Sequence, residues 1–204
     1  MEKKINNNGF EYADLSLPSG TLWATCNVGA SKPTEYGLYF QWGDTKGYTA
    51  EQAGDEKGKK YFSWNDYKWW VNGIEFTKYT NKGDKLELKD DAANANMGGD
   101  WHLPSLSQID ELIENTTSKW TKQNGVKGCL FTSKKNNTKS IFIPAAGYID
   151  FDKLNWKNRS IQIWASKVSP CFDCTAECLE VERDYMNQGY YFRSAGFSVR
   201  GVLG

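Results

Sequence analysis

Three thiols stand close together near the C-terminus, in Cys171-x-x-Cys174-x-x-x-Cys178. Thiolates at such spacing can hold zinc or an iron–sulfur cluster, but a closed site of either kind takes four protein ligands. The single histidine, His102, lies far upstream. An alternating strand through Cys178 would also carry the thiols apart. They read as incidental thiols on a loop and a strand, and no metal or other cofactor is expected. His102 sits in Gly99-Asp100-Trp101-His102-Leu103-Pro104 and is a candidate general base. No nucleophile-elbow motif accompanies it, so a structural or surface role is expected. The densest group of acids is Asp173, Glu177, Glu180, Glu182 and Asp184. Clustered carboxylates can bind calcium, but the EF-hand spacing is missing and a solvated acidic face is the simpler reading. No catalytic residue is assigned.

These groups must be carried by a framework, and its elements are partly legible. The 204 residues are enough for one sizeable core. Lys and Arg number 25, as do Asp and Glu, so there is no net field to attract nucleic acid or an anionic membrane. No run of residues is long and apolar enough to span a bilayer. The opening Met1-Glu2-Lys3-Lys4-Ile5-Asn6-Asn7-Asn8 lacks the apolar core of a signal peptide. That leaves a cytoplasmic, phage-borne or leader-trimmed surface location open. Five cysteines, an odd and sparse set, do not make a disulfide framework. Aromatic residues reach 15%, with nine Trp and eleven Tyr. Rings of this kind fill cores and also anchor interfaces.

Residues 1–10 read as a polar lead-in and 11–204 as one α+β domain with little helix. Two short strands flank the turn Leu17-Pro18-Ser19-Gly20 between Tyr12 and Ala24. Tyr36–Trp42 is a further aromatic strand, and Gly43–Lys60 a long polar loop. Tyr61–Trp70 carries six rings that fit no single period. Asp90–Met97 is a short helix stopped by Gly98-Gly99. A better helix begins at Ser105, with Gln108 completing a capping box. Ile109, Leu112 and Ile113 form its apolar stripe, and it ends near Asn115. Beyond it the chain reads as β: a turn at Asn124-Gly125, a hairpin through Cys129–Ser133 and Ser140–Ile143, then strands over Ile161–Ser166, Ala176–Glu182 and Gly196–Val202. Asn-x-Ser/Thr occurs at Asn115, Asn136 and Asn158, acceptors only in a glycosylating host.

Six blocks in order carry a resemblance. They are Leu17-Pro18-Ser19-Gly20-Thr21-Leu22-Trp23-Ala24-Thr25-Cys26-Asn27-Val28-Gly29-Ala30; Tyr36-Gly37-x-Tyr39-Phe40-x-Trp42-Gly43; Asp90-Asp91-Ala92-Ala93; Gly98-Gly99-Asp100-Trp101-His102-Leu103-Pro104-Ser105; Ile141-Phe142-Ile143-Pro144-Ala145-Ala146-Gly147-Tyr148; and Gly196-Phe197-Ser198-Val199-Arg200. From about residue 11 to the end the chain resembles the Fibrobacter succinogenes major paralogous domain family of gut Bacteroidetes and their phages. The resemblance implies a C-type-lectin-like fold of the formylglycine-generating-enzyme branch, with small mixed or antiparallel sheets, about two helices and much loop. The ending Ser-Val-Arg-Gly-Val-Leu-Gly is similar to that of targets of diversity-generating retroelements. That implies a receptor or adhesin whose C-terminal surface differs between copies and binds a protein or surface-glycan ligand. Trp64-Asn65-Asp66 matches a calcium-binding tripeptide of sugar-binding C-type lectins, but it is mid-chain and its Glu-Pro-Asn or Gln-Pro-Asp companion is missing, so it reads as coincidence.

Within the display segment, about 155–200, the resemblance makes Trp164, Ala176, Leu179, Val181, Gly196 and Val199 framework. Period 2 places Leu179 and Val181 on one face and Cys178, Glu180 and Glu182 on the other, expected outward. The candidate ligand-binding residues are Arg159, Gln162, Ile163, Lys167, Phe172, Asp173, Glu177, Cys178, Glu180, Glu182, Tyr190, Tyr191, Phe192 and Arg193. Two alternatives stay open. One is an enzyme of the formylglycine-generating kind using Cys171, Cys174 and Cys178, although likeness of fold is a poor guide to function. The other is a structural module of a phage particle or cell surface.

Overall fold

A computed structural model of the chain describes residues 4–5 and 8–204. The strands of the first half are β1 (Lys4–Ile5), β2 (Glu11–Asp14), β3 (Leu22–Ala24), β4 (Tyr39–Phe40), β5 (Trp70–Val71) and β6 (Glu75–Phe76). Two α-helices follow, α1 (Ala92–Met97) and α2 (Leu106–Asn115). Then come β7 (Thr116–Gln123), β8 (Val126–Ser133), β9 (Ser140–Pro144), β10 (Tyr148–Asp150) and β11 (Lys153–Asn155). The chain closes with β12 (Ile161–Val168), β13 (Thr175–Val181), β14 (Met186–Phe192), β15 (Phe197–Ser198) and β16 (Val202–Leu203). The architecture is α+β, with small, mostly antiparallel sheets, two helices and much irregular loop.

Local chemistry sets the helices where the sequence places them. The Asp91 side chain accepts hydrogen bonds from the Ala93 and Asn94 amides and caps α1. Its other oxygen accepts the Leu103 amide at 2.8 Å, tying the Gly98–Ser105 block to that cap. Ser105 and Gln108 exchange the two bonds of a capping box at the start of α2. Ile109 and Leu112 are fully buried, and Ile113 is half-buried.

A five-stranded sheet in the order β14-β13-β12-β15-β4 organises the molecule. One face packs Ile161, Ile163, Ala165, Leu179 and Val181 against α2 and the β7-β8-β9 sheet. The other packs Trp164, Cys178, Ala176 and Phe197 against α1 and a set of rings drawn from residues 40–86. A third sheet joins the chain ends in the order β1-β2-β3-β16.

Three expectations need correction. The lead-in is not wholly outside the domain, because Lys4 and Ile5 pair with Tyr12 and Glu11; residues 1–3 and 6–7 lie outside the described residues. The strand expected over Tyr36–Trp42 is only Tyr39–Phe40, because the preceding chain turns at Gly37 (φ 75°) to meet Val28. The strand expected over Gly196–Val202 breaks into β15 and β16. Between them Arg200 is drawn fully inside, where it donates to Asn27 Oδ1 at 2.9 Å and to the Ala24 carbonyl at 2.8 Å. Burial lowers the pKa of that guanidinium to about 10.

Candidate functional site

The aromatic run that fits no period forms the base of an open groove. Ser63 precedes a 3-10 turn, Trp64–Asp66, and β5 and β6 then form a hairpin with Trp70 opposite Phe76. Its turn uses Asn72 (φ 55°) and Gly73 (φ 69°), the left-handed backbone that Asn and Gly tolerate. The hairpin packs Trp70 against Phe76 at a tilt, with centroids 4.7 Å apart, and both lie about one ring's breadth from Trp64, at 5.5 and 5.6 Å. Ile74 at the tip is 76% exposed.

The C-terminal segment closes the other side. The end of β14 sets Phe192 edge-on to Trp64 at 6.1 Å. A turn, closed by the Thr175 amide donating to the Phe172 carbonyl at 3.2 Å, presents Asp173 and Cys174. Together with Glu75 and Thr80 these groups line a cavity of about 460 Å³. That is within the range of ordinary ligand sites.

Arg193 lies beneath this groove and is fully buried. Its guanidinium is 3.7 Å from the Phe76 ring centroid and 5.5 Å from those of Trp42 and Tyr67. Nη1 donates to the Tyr79 carbonyl at 2.9 Å, while Nε and Nη2 have no hydrogen-bond partner. Burial lowers its pKa, and Tyr67, Asp173 and Cys174 act electrostatically in the opposite sense. Arg193 therefore serves as a cationic floor that orders the rings.

The structure divides the candidate residues from the C-terminal segment. Asp173 and Phe192 line the groove. Phe172 is exposed beside it in the same turn, and Tyr191 is half-buried against Phe192, Tyr148 and Phe197. Arg159, Lys167 and Tyr190 are exposed but line no part of the groove. Glu182 lines a separate cleft with Trp120 and Tyr185, and Glu180 is half-buried.

Five candidates must be withdrawn as surface groups. Gln162, Ile163, Glu177, Cys178 and Arg193 are buried. Alternation correctly put Cys178 on the face opposite Leu179, but that face is covered by Trp164, Phe197 and the rings from residues 40–86. Glu177 has a carboxylate oxygen without a hydrogen-bond partner, and burial raises its pKa despite the opposing influence of Lys167.

Trp64, Trp70, Ile74, Glu75 and Phe76 were missed as site residues. The available signal was the density of rings around an Asn-Gly turn, which marks a hairpin with aromatic walls. Trp64-Asn65-Asp66 contributes its Trp to the groove; Asn65 and Asp66 are exposed, and the Asp66 carbonyl accepts Lys60 Nζ at 2.7 Å.

The thiols have unlike surroundings. Cys171 is exposed, Cys174 is half-buried at the groove and Cys178 is buried in the sheet. Burial holds the Cys178 thiol well above its ordinary pKa, assisted by Glu180, which disfavours the nucleophilic thiolate. His102 is half-buried, with Nδ1 2.9 Å from the Asp100 carbonyl oxygen, and its backbone pairs with Val202. Among the described residues, no three His, Cys, Asp or Glu side chains come together as a metal site. No helix among the described residues is long and apolar enough to cross a membrane. No family model, curated protein or solved structure matches the chain.

Proposed function

We propose that this chain is a C-type-lectin-like ligand-display protein. Its rigid sheet supports a rim that binds a protein or cell-surface ligand, and a retroelement diversifies the C-terminal part of that rim. The single observation that carries the reading is the open groove where a C-terminal turn and the end of β14 meet the β5–β6 hairpin. Large rings left half-exposed around a concavity are the usual anchors of recognition. Phe172 and Phe192 remain 64% and 50% exposed, and apolar groups gathered at one concavity, rather than scattered singly, are what marks a recognition site. The fold assignment rests on the six sequence blocks. Four of them meet in space as two pairs: Arg200 bonds Asn27 and Ala24, and Asp91 accepts the Leu103 amide.

The test is binding of the fluorescent chain to a panel of gut bacterial cells, alongside a Phe172→Ser/Phe192→Ser variant. Binding to particular strains that falls at least tenfold in the variant is the expected result. Binding to none of the strains, or binding indifferent to both rings, would sink the reading. The diversification part predicts a reverse transcriptase gene nearby and a near-copy of the last coding segment that differs at adenines.

A further inference from the structure

Most of the rings packed around this groove already carry one of the chain's own cations. Arg193 lies over Trp42, Tyr67 and the inner side of Phe76. Lys68 covers Trp69 at 4.0 Å, and Lys78 covers Tyr79 at 4.8 Å. Trp64, Trp70 and Phe192 wall the open side and carry none among the described residues. Their planes are steeply inclined, 50° between Trp64 and Trp70 and 77° between Trp64 and Phe192, so the walls form a cage rather than a flat platform.

Two carboxylates, Glu75 and Asp173, stand at the same cavity. Neither has an ion pair or hydrogen bond among the described residues. Asp173 feels the buried Arg193 electrostatically, but that cation is sealed beneath Phe76 and cannot enter the groove. Ring faces attract cations, and carboxylates at the rim of the same cavity strengthen that attraction.

Resting on the display reading above, we propose that the groove takes a lysine or arginine side chain of a protein ligand. The aliphatic stem lies along Ile74 and Phe76, and the charged head sits among Trp64, Trp70 and Phe192 within reach of Asp173 or Glu75. Charge complementarity is what selects this occupant. A neutral glycan would draw no charge attraction from either carboxylate, and an acidic segment would be repelled by them.

The test uses the intact chain and four small probes, read by the indole N–H NMR signals of Trp64 and Trp70. The blocked amides of Nα-acetyl-lysine and Nα-acetyl-arginine are compared with those of their neutral analogues, norleucine and citrulline. The cationic probes should bind about tenfold more tightly. Equal affinity, preference for the neutral probes, or no shift with any probe overturns the assignment. A Glu75→Gln/Asp173→Asn variant alters only exposed side chains. It should lose at least threefold of the cation preference while keeping its norleucine affinity; an unchanged preference also overturns the assignment. Probe binding does not depend on any cell surface. Cell binding without cation preference removes this inference alone, and cation preference without cell binding removes the display reading alone.

Discussion

Strands β13 and β14 are neighbours of equal length, seven residues each, paired along their whole length. Six residues of β13 are buried and none of β14 is. β13 lies between β12 and β14 and is covered on both faces, whereas β14 ends the sheet. The difference shows how one segment can hold both a packed frame and an exposed edge. A side chain exchanged inside β13 must fit a packed interior. A side chain exchanged at an exposed position, such as Tyr190 or Phe192 in β14 or Phe172 and Asp173 in the turn before β13, is not enclosed on all sides. Diversity in this region is therefore tolerable only along the outer strand and its flanking turn.

The largest test of the comparison is inside the frame. Trp164 is fully buried, stacks on Phe197 at 4.1 Å and donates from Nε1 to the Phe40 carbonyl at 2.7 Å. Trp164→Ala should cost about 3–5 kcal/mol, read as a shift in the denaturant midpoint. A loss of less than about 1 kcal/mol would mean that the interior is far looser than described.

The thiols test the same contrast within ten residues. Cys178→Ser places a hydroxyl in the buried sheet face and should cost about 1–3 kcal/mol. Cys171→Ser should stay within about 0.5 kcal/mol. A thiol reagent should label Cys171 in the folded protein and Cys178 only on unfolding. Equal labelling rates would break the distinction.

Glu177 gives a smaller effect than Cys178. Its pKa is raised in the folded protein, so the folded state holds the proton more tightly than the unfolded chain does. Its contribution to stability is complete below the ordinary Glu value and declines as pH rises through the raised folded value. Glu177→Gln should flatten that decline and raise stability at pH 7 by about 1 kcal/mol. Melting curves from pH 4 to 8 check it; the same slope in both proteins would show that the carboxylate is solvated.

The local signals were read correctly because each is short-range. Ser105 and Gln108 are three residues apart and fix the start of α2 without help from the rest of the chain. Asp91, Gly98 and Gly99 bound α1 in the same way, and Asn124-Gly125 turns β7 into β8 as expected. Period 2 likewise sorted Cys178 from Leu179. It could not show that both sides are interior, because the cover comes from other elements, Trp164 and Phe197 of neighbouring strands and rings from the first half of the chain. Trp42 donates from Nε1 to the Ala165 carbonyl at 2.9 Å, and Tyr67 donates to the Trp42 carbonyl at 3.0 Å.

What the sequence determined by itself about this protein is its caps, turns, strand alternation, neutral charge and wealth of rings, all set by residue chemistry within a few positions. The tertiary structure alone decided which rings are floor and which are wall. Gly43 shows the reason. At φ 74° its missing side chain leaves room for Trp69, whose ring a Cβ would strike, so the Trp42 and Trp69 rings pack into one core. Trp64 and Trp70 are left at the edge of that core, facing Phe192 from the far end of the chain. Burial is a property of the whole assembly, and no local pattern encodes the element that will cover a given face.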